Sequence, residues 1–179
     1  MKHVLVAGVL LLALTLAPAA AGAQEHAQNG FSMGFVLGDP TGFTLRAGLD
    51  ERYAFQAHFG FGFFPGDSMV VMVDGTHDTG NLLRDNPTAS LRFYFGVGGK
   101  AEWFTGRYYA YKPGPEYSFP DDRSYVGLGV RGLVGLRMSF REAPVDLFIE
   151  LAPIGIIFVV PDPAAYYDPD LALGVRYRF

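Results

Sequence analysis

The sequence predicts an all-β fold, an eight-stranded antiparallel up-and-down β-barrel that crosses a membrane with its strands. Three observations carry this expectation. After residue 30, period-two alternation runs through most of the chain, and no segment of any length has helical periodicity. One face of the alternation is rich in phenylalanine and nearly free of charge, whereas the other holds glycine, serine and arginine. The chain closes on LALGVRYRF, with Leu171, Leu173, Val175, Tyr177 and Phe179 on one side and Asp170, Ala172, Gly174, Arg176 and Arg178 on the other. Chain ends usually fray, so an end patterned in this way must be pinned to a neighbouring strand.

The opening residues have a different character. Met1-Lys2-His3 is basic, Val4 to Leu16 is an apolar run short for a bilayer span, and Ala21-Gly22-Ala23 ends an alanine-rich stretch. This is the pattern of a secretory signal peptide over residues 1–23, cut before Gln24; an N-terminal membrane anchor is the alternative. Residues 24–29 form a short N-terminal segment and residues 30–179 the barrel domain. Loss of Lys2 from the 14 basic residues leaves 13 against 18 acidic ones, a balance that excludes nucleic acid as a partner. The chain has no cysteine. Backbone pairing and packing, not disulfides, must hold an exported fold of this kind together.

The strands follow in order. Phe31, Met33, Phe35 and Leu37 oppose Ser32, Gly34, Val36 and Gly38; a GDPTG turn follows. Phe43 to Leu49 and Tyr53 to Phe63 repeat the pattern, with FPGDS as the next turn. A fourth strand near Met69 to Asp74 is apolar on both faces, so its phase is open. GTHDTGNLLRDNPT, residues 75–88, is expected to be a polar connection, and the DGTHD stretch from Asp74 to Asp78, with His77 in it, to be a solvated turn. In the fifth strand Ala89, Leu91, Phe93, Phe95 and Val97 oppose Ser90, Arg92, Tyr94, Gly96 and Gly98, and Lys100 and Glu102 extend the polar face. The tyrosine-rich stretch from Thr105 to Ser124 is expected to be the longest loop. Val126 to Phe140 is the cleanest strand, and Val145 to Leu151 sets apolar residues against Asp146, Phe148, Glu150 and Ala152. VVPDPAAYYD is expected to be a second loop before the closing strand. The connections beyond strands one and three are tight and those beyond five and seven long, so one end of the barrel should be lopsided.

Two closed barrels produce eight such strands. A soluble lipocalin-like calyx, binding a hydrophobic ligand in the periplasm, turns its apolar face inward; a membrane barrel turns it outward. The polar face here is mostly glycine and small residues with arginine, which suits a crowded interior and leaves little for water to solvate. In hydrocarbon each unpaired backbone group costs several kcal/mol, so a sheet there must close on itself. Trp103 and tyrosines such as Tyr53 and Tyr177 are candidates for an interfacial girdle, whereas parity turns Tyr125 inward.

The terminal Phe179, with Tyr177, Val175 and Leu173 before it, resembles the C-terminal signal of bacterial outer-membrane proteins. The whole mature chain resembles the small eight-stranded outer-membrane barrels of the OmpA/OmpX/OmpW kind. Its GDPTGFTLRAGLD hairpin and LFIELAPIG strand look most like a largely uncharacterised branch of them. The resemblance implies a location in the Gram-negative outer membrane, contact with lipid and lipopolysaccharide, and insertion by the outer-membrane assembly machinery.

The inward face is expected to carry a structural charge network of Arg46, Arg92, Arg131, Arg137, Asp146, Glu150, Arg176 and Arg178, with basic residues in excess. Arg131 and Arg137 are expected beside Asp146 and Glu150, flanked by Arg176 and Arg178 from the last strand. An eight-stranded barrel has room for side chains and little else, so the lumen should be plugged. No catalytic, cofactor or metal residues are assigned. A lipid-modifying enzyme would need a serine and a histidine in register with an acid. His26, His58 and His77 align with no serine, and the sequence holds no HxH, HExxH or cysteine pair. The loop 105–124 is a candidate for recognition of a surface ligand, and the barrel is expected to be a monomer.

Overall fold

The computed structural model describes residues 30–62, 68–83, 86–105, 109–110, 117–118, 124–160 and 164–179. The expected signal peptide, segment 24–29, the FPGDS turn up to Asp67 and most of the loop from Thr105 to Ser124 lie outside these residues. Eight strands form the wall: β1 (Phe31–Gly38), β2 (Thr41–Gly48), β3 (Tyr53–Gly62), β4 (Ser68–Asn81), β5 (Ala89–Thr105), β6 (Ser124–Phe140), β7 (Val145–Val160) and β8 (Asp170–Arg178). Each is antiparallel to the next, and β8 pairs with β1, so the sheet closes. Ala164–Tyr167 pairs with the upper part of β7 and continues the line of β8 beyond Asp168-Pro169. A two-residue ladder joins Tyr109–Ala110 to Tyr117–Ser118.

The register fixes the tilt. Crossing the wall at right angles from Val36, the pairs run Gly42, Gly60, Val70, Glu102, Gly127, Val159 and Ala164. Crossing the other way, Val36 meets Gly174 on β8. The circuit therefore closes with an offset of ten residues (174 − 164). For eight strands that stagger corresponds to a tilt of roughly 40°. The wall is uneven: β1 and β2 have 8 residues each and β3 has 10, whereas β5 and β6 have 17 and β7 has 16.

The alternation sorts the side chains as the sequence predicts. Leu37, Phe61, Val97, Leu128 and Leu171 are more than half exposed on the outside, while Thr44, Tyr94, Arg176 and Glu150 are buried inside. Tyr125 faces inward and stacks on Phe104 at 5.4 Å, as its parity requires. Space inside is tight. A Cβ on Gly174 would strike the Phe148 ring and sit 2.5 Å from the Phe35 carbonyl, so glycine there makes room for the aromatic.

The β1–β2 turn is compact. Gly38 has φ of 124°, a conformation that favours glycine. Its N–H donates to Thr41 Oγ1 (3.1 Å), the Thr41 hydroxyl donates back to its carbonyl (2.9 Å), and the Asp39-Pro40 peptide is cis. In the β2–β3 turn the Asp50 carboxylate accepts the N–H groups of Arg52 and Tyr53, both at 2.7 Å.

Two expectations are corrected. Residues 75–81 are not part of a polar connection: they continue β4 to Asn81, through a register irregularity between Asp78 and Asn81. The phase of β4 is thereby settled, with Val70, Met72, Asp74, Thr76 and Asp78 inside. His77 lies outside, its ring between those of Tyr53 (4.7 Å) and Phe95 (5.2 Å). The second expected loop is also largely strand, because β7 reaches Val160 and residues 164–167 pair back onto it.

Candidate functional site

The charged interior is the chemically distinctive part of the molecule. Five cations are buried among the described residues: Arg46, Lys100, Arg131, Arg137 and Arg176. Seven carboxylates are buried with them: Asp74, Asp78, Glu102, Asp146, Glu150, Asp168 and Asp170. With the part-buried Arg92 and Arg178 the inward face holds seven cations against seven carboxylates, so the expected excess of basic residues is absent. The difference comes from Asp74 and Asp78, which the sequence suggests for a solvated turn, and from Asp168 and Asp170, which lie outside the expected network.

The groups fall into two tiers. In the upper tier, toward the long-strand rim, β5 places Lys100 among three carboxylates. Lys100 Nζ is 2.7 Å from Glu102 and 2.9 Å from Asp170, and it also donates to Asp168. Alternation explains Glu102, two residues along the same strand. The same alternation keeps Asp168 and Asp170, two residues apart across Pro169, both inward. Arg131 on β6 reaches between elements, with Nε 3.7 Å from Asp170 and 3.8 Å from Asp74, and its guanidinium also contacts the Met72 sulfur.

The lower tier is rich in arginine. Arg46 on β2 donates to Thr76 (2.9 Å) and Asp78 (2.8 Å), and Arg137 from β6 meets the same Asp78 oxygen. Arg176 on β8 donates to Thr44 (2.9 Å) and to Gln56 (3.3 Å) and lies 3.9 Å over the Phe148 ring. Glu150 on β7 accepts from Gln56 and lies 3.2 Å from His58 Nε2. Gln56 joins the tiers, because its amide also donates to Asp74 at 3.4 Å.

The predicted network residues divide accordingly. Arg46, Arg137, Glu150 and Arg176 converge in the lower tier, and Arg131 belongs to the upper. Arg131 and Arg137 do not pair with Asp146 and Glu150 as expected; they cross the lumen to acids on β4 and β8. Ion pairing across a lumen follows barrel curvature, which neighbour-strand reasoning does not include. Asp146 faces Arg178 at 3.4 Å near the lower rim, where Arg178 also caps the carbonyls of Phe140 and Ala143. Arg92 stands apart, half-buried, with its guanidinium on the Glu51 carbonyl (3.2 Å).

The predicted C-terminal residues line the outer face of the seam. Leu173 and Val175 project outward, and Tyr177 packs edge-on against Phe179 at 5.1 Å. Phe179 donates its N–H to the Phe31 carbonyl (3.0 Å), and the two rings lie 6.0 Å apart. His58, the lumen histidine, is buried beside Glu150. Among the described residues, no group of three or more His, Cys, Asp or Glu is placed to hold a metal ion.

No protein-family model matches the chain, and no curated protein matches it. A solved structure does: the N-terminal β-barrel domain of Pseudomonas aeruginosa OprF. It shares 13% identity, with 85% of this chain and 98% of that one covered, at a TM-score of 0.52. A likeness at this identity speaks for the fold, a closed eight-stranded antiparallel barrel.

Proposed function

We propose that this protein is an integral β-barrel of the Gram-negative outer membrane with a structural or surface-interaction role. Its lumen is plugged by the two-tier ion-pair network. One observation carries the reading: the described outward positions of β1–β8 hold no Asp, Glu, Lys or Arg, while large apolar side chains stand half-exposed around the circumference. Soluble monomers rarely expose apolar patches beyond a few hundred Å². A ligand-binding calyx would invert this arrangement, because its charges belong outside.

In this reading residues 1–23 direct export and are removed. Leu173, Val175, Tyr177 and Phe179 are read by the outer-membrane assembly machinery. The outer face contacts lipid and lipopolysaccharide, and the barrel is a monomer. Residues 105–124 present the surface for any external partner. The interior serves stability, and no enzymatic step is assigned to it. The test is fractionation followed by gels of boiled and unboiled samples. Recovery in the outer-membrane pellet, with a heat-dependent change in mobility, is expected; a freely soluble protein without detergent would sink the reading.

A further inference from the structure

The wall has a notch at the β1–β2 hairpin, and the polar turn that forms its floor lies well below the outer rim. Heights follow from the register with ~3.3 Å per residue and a tilt of roughly 40°. On the outside, Tyr53 at the start of β3 and Trp103 near the end of β5 lie roughly 25 Å apart along the barrel axis, the height of the apolar band of such barrels. Tyr167, outward and half-exposed beside β7, stands level with Trp103. These aromatics mark the two interfaces. The turn of Gly38, Asp39, Pro40 and Thr41 lies roughly 9 Å below the Trp103 level by the same geometry. It ends a hairpin whose strands have 8 residues each. On either side the wall climbs past it, through Ala164–Tyr167 in line with β8 and through β4 and β5.

We propose that the outer leaflet is pulled down at this notch, so that lipid headgroups and water meet the Asp39–Thr41 turn on the β1–β2 side while the opposite side holds a leaflet of ordinary depth. The inference rests on the membrane reading above. Its physical basis is mismatch. A reverse turn, with fewer of its backbone groups paired than a strand has, is costly in hydrocarbon, and a bilayer adjusts its thickness to a short apolar wall more readily than it accepts one. Leu37 and Phe43, the last outward apolar residues before the turn, are both more than half exposed, so the greasy band runs up to the turn and stops there. The occupant is lipid.

The single tryptophan provides the probe. Depth-dependent quenching by phospholipids brominated near the headgroup or deep in the acyl chain is measured in vesicles. Three proteins are compared: the native chain, Trp103→Phe/Leu37→Trp, and Trp103→Phe/Val97→Trp. Val97 lies on the outer face of the tall wall at nearly the same height as Leu37, and both are exposed. The native Trp103 should be quenched best by the shallow bromines and position 97 by the deep ones. Position 37 should follow Trp103 despite matching 97 in height. Deep quenching at 37 equal to that at 97 overturns the proposal, because the leaflet is then flat. Loss of all quenching at 37 alone also overturns it, because protein and not lipid then covers the notch. No quenching at any of the three positions would instead reject the membrane reading itself.

Discussion

The upper and lower tiers of the lumen solve one problem in opposite ways. In the upper tier one lysine is held by Glu102, Asp168 and Asp170, with Arg131 at their edge. In the lower tier Arg46, Arg137 and Arg176 gather around Asp78 and Glu150, supplemented by neutral acceptors on Thr44, Thr76 and Gln56. Neither tier is balanced alone. A guanidinium offers five donors and can be satisfied by hydroxyl and amide oxygens, so arginines tolerate a shortage of acids. Carboxylates can accept from neutral donors in the same way, as Glu150 does from Gln56, but Glu102, Asp168 and Asp170 all turn to the one Lys100 ammonium. The upper tier is therefore the brittle one, resting on Lys100.

Removing that lysine gives the largest expected effect. Lys100→Met leaves three buried carboxylates facing one another and should cost at least ~3–5 kcal/mol. Urea unfolding in detergent, followed by Trp103 fluorescence, measures it. Adding Asp168→Asn should recover part of the loss; no recovery would mean that the lysine acts by packing and not by charge. Glu150→Ala in the lower tier should fall near the low end of that range, about 3 kcal/mol, because Arg176 keeps Thr44 and Gln56. Equal losses for the two variants would break the contrast between the tiers. Gln56→Leu removes the link and should cost about 1–3 kcal/mol, the usual range for stranding buried partners. It should also make Lys100 and Glu150 substitutions more nearly additive. Arg178→Ala, at the partly open lower rim, should cost about 1 kcal/mol or less.

The smallest effect lies outside the wall. The N–H of Tyr53, and then that of Arg52, hold the exposed Asp50 carboxyl below its ordinary value. A depressed carboxyl stabilises the fold above the unfolded-state value, about 4, and loses that contribution as pH falls through the folded-state value. Asp50→Asn should flatten the acid limb of a stability-versus-pH curve slightly, by lowering stability a little at neutral pH and leaving the acid end unchanged. A curve that still falls as steeply would show that the acid sensitivity comes from the lumen.

How much of this was legible depends on whether one strand or several were needed to see it. Period-two alternation is local, and it marked every stave. It failed on β4 for a physical reason: Met69, Val71 and Val73 outside and Val70 and Met72 inside are all apolar, so neither face stood out. Then His77, a polar residue on the apolar face, broke the pattern, because its partners Tyr53 and Phe95 come from other strands. With β4 cut short, Asp74 and Asp78 were lost to a loop. Pro169 hid Asp168 in the same way by interrupting the last stave. The inward list of arginines needed only parity, and Arg46, Arg131, Arg137 and Arg176 are all buried. Their partners needed the curvature of the closed sheet, which no window of sequence contains.

The seam between β1 and β8 is what makes the sheet a closed wall. Seven residue pairs, from Ser32↔Arg178 to Gly38↔Ala172, join the two staves most distant along the polypeptide. No intermediate lacking β8 can be a cylinder: a nascent or truncated form is an open ribbon with two unpaired margins, exposed to misassociation until the final stave arrives. Until β8 meets β1 both margins stay open, and any factor that chaperones such a form must shield both together.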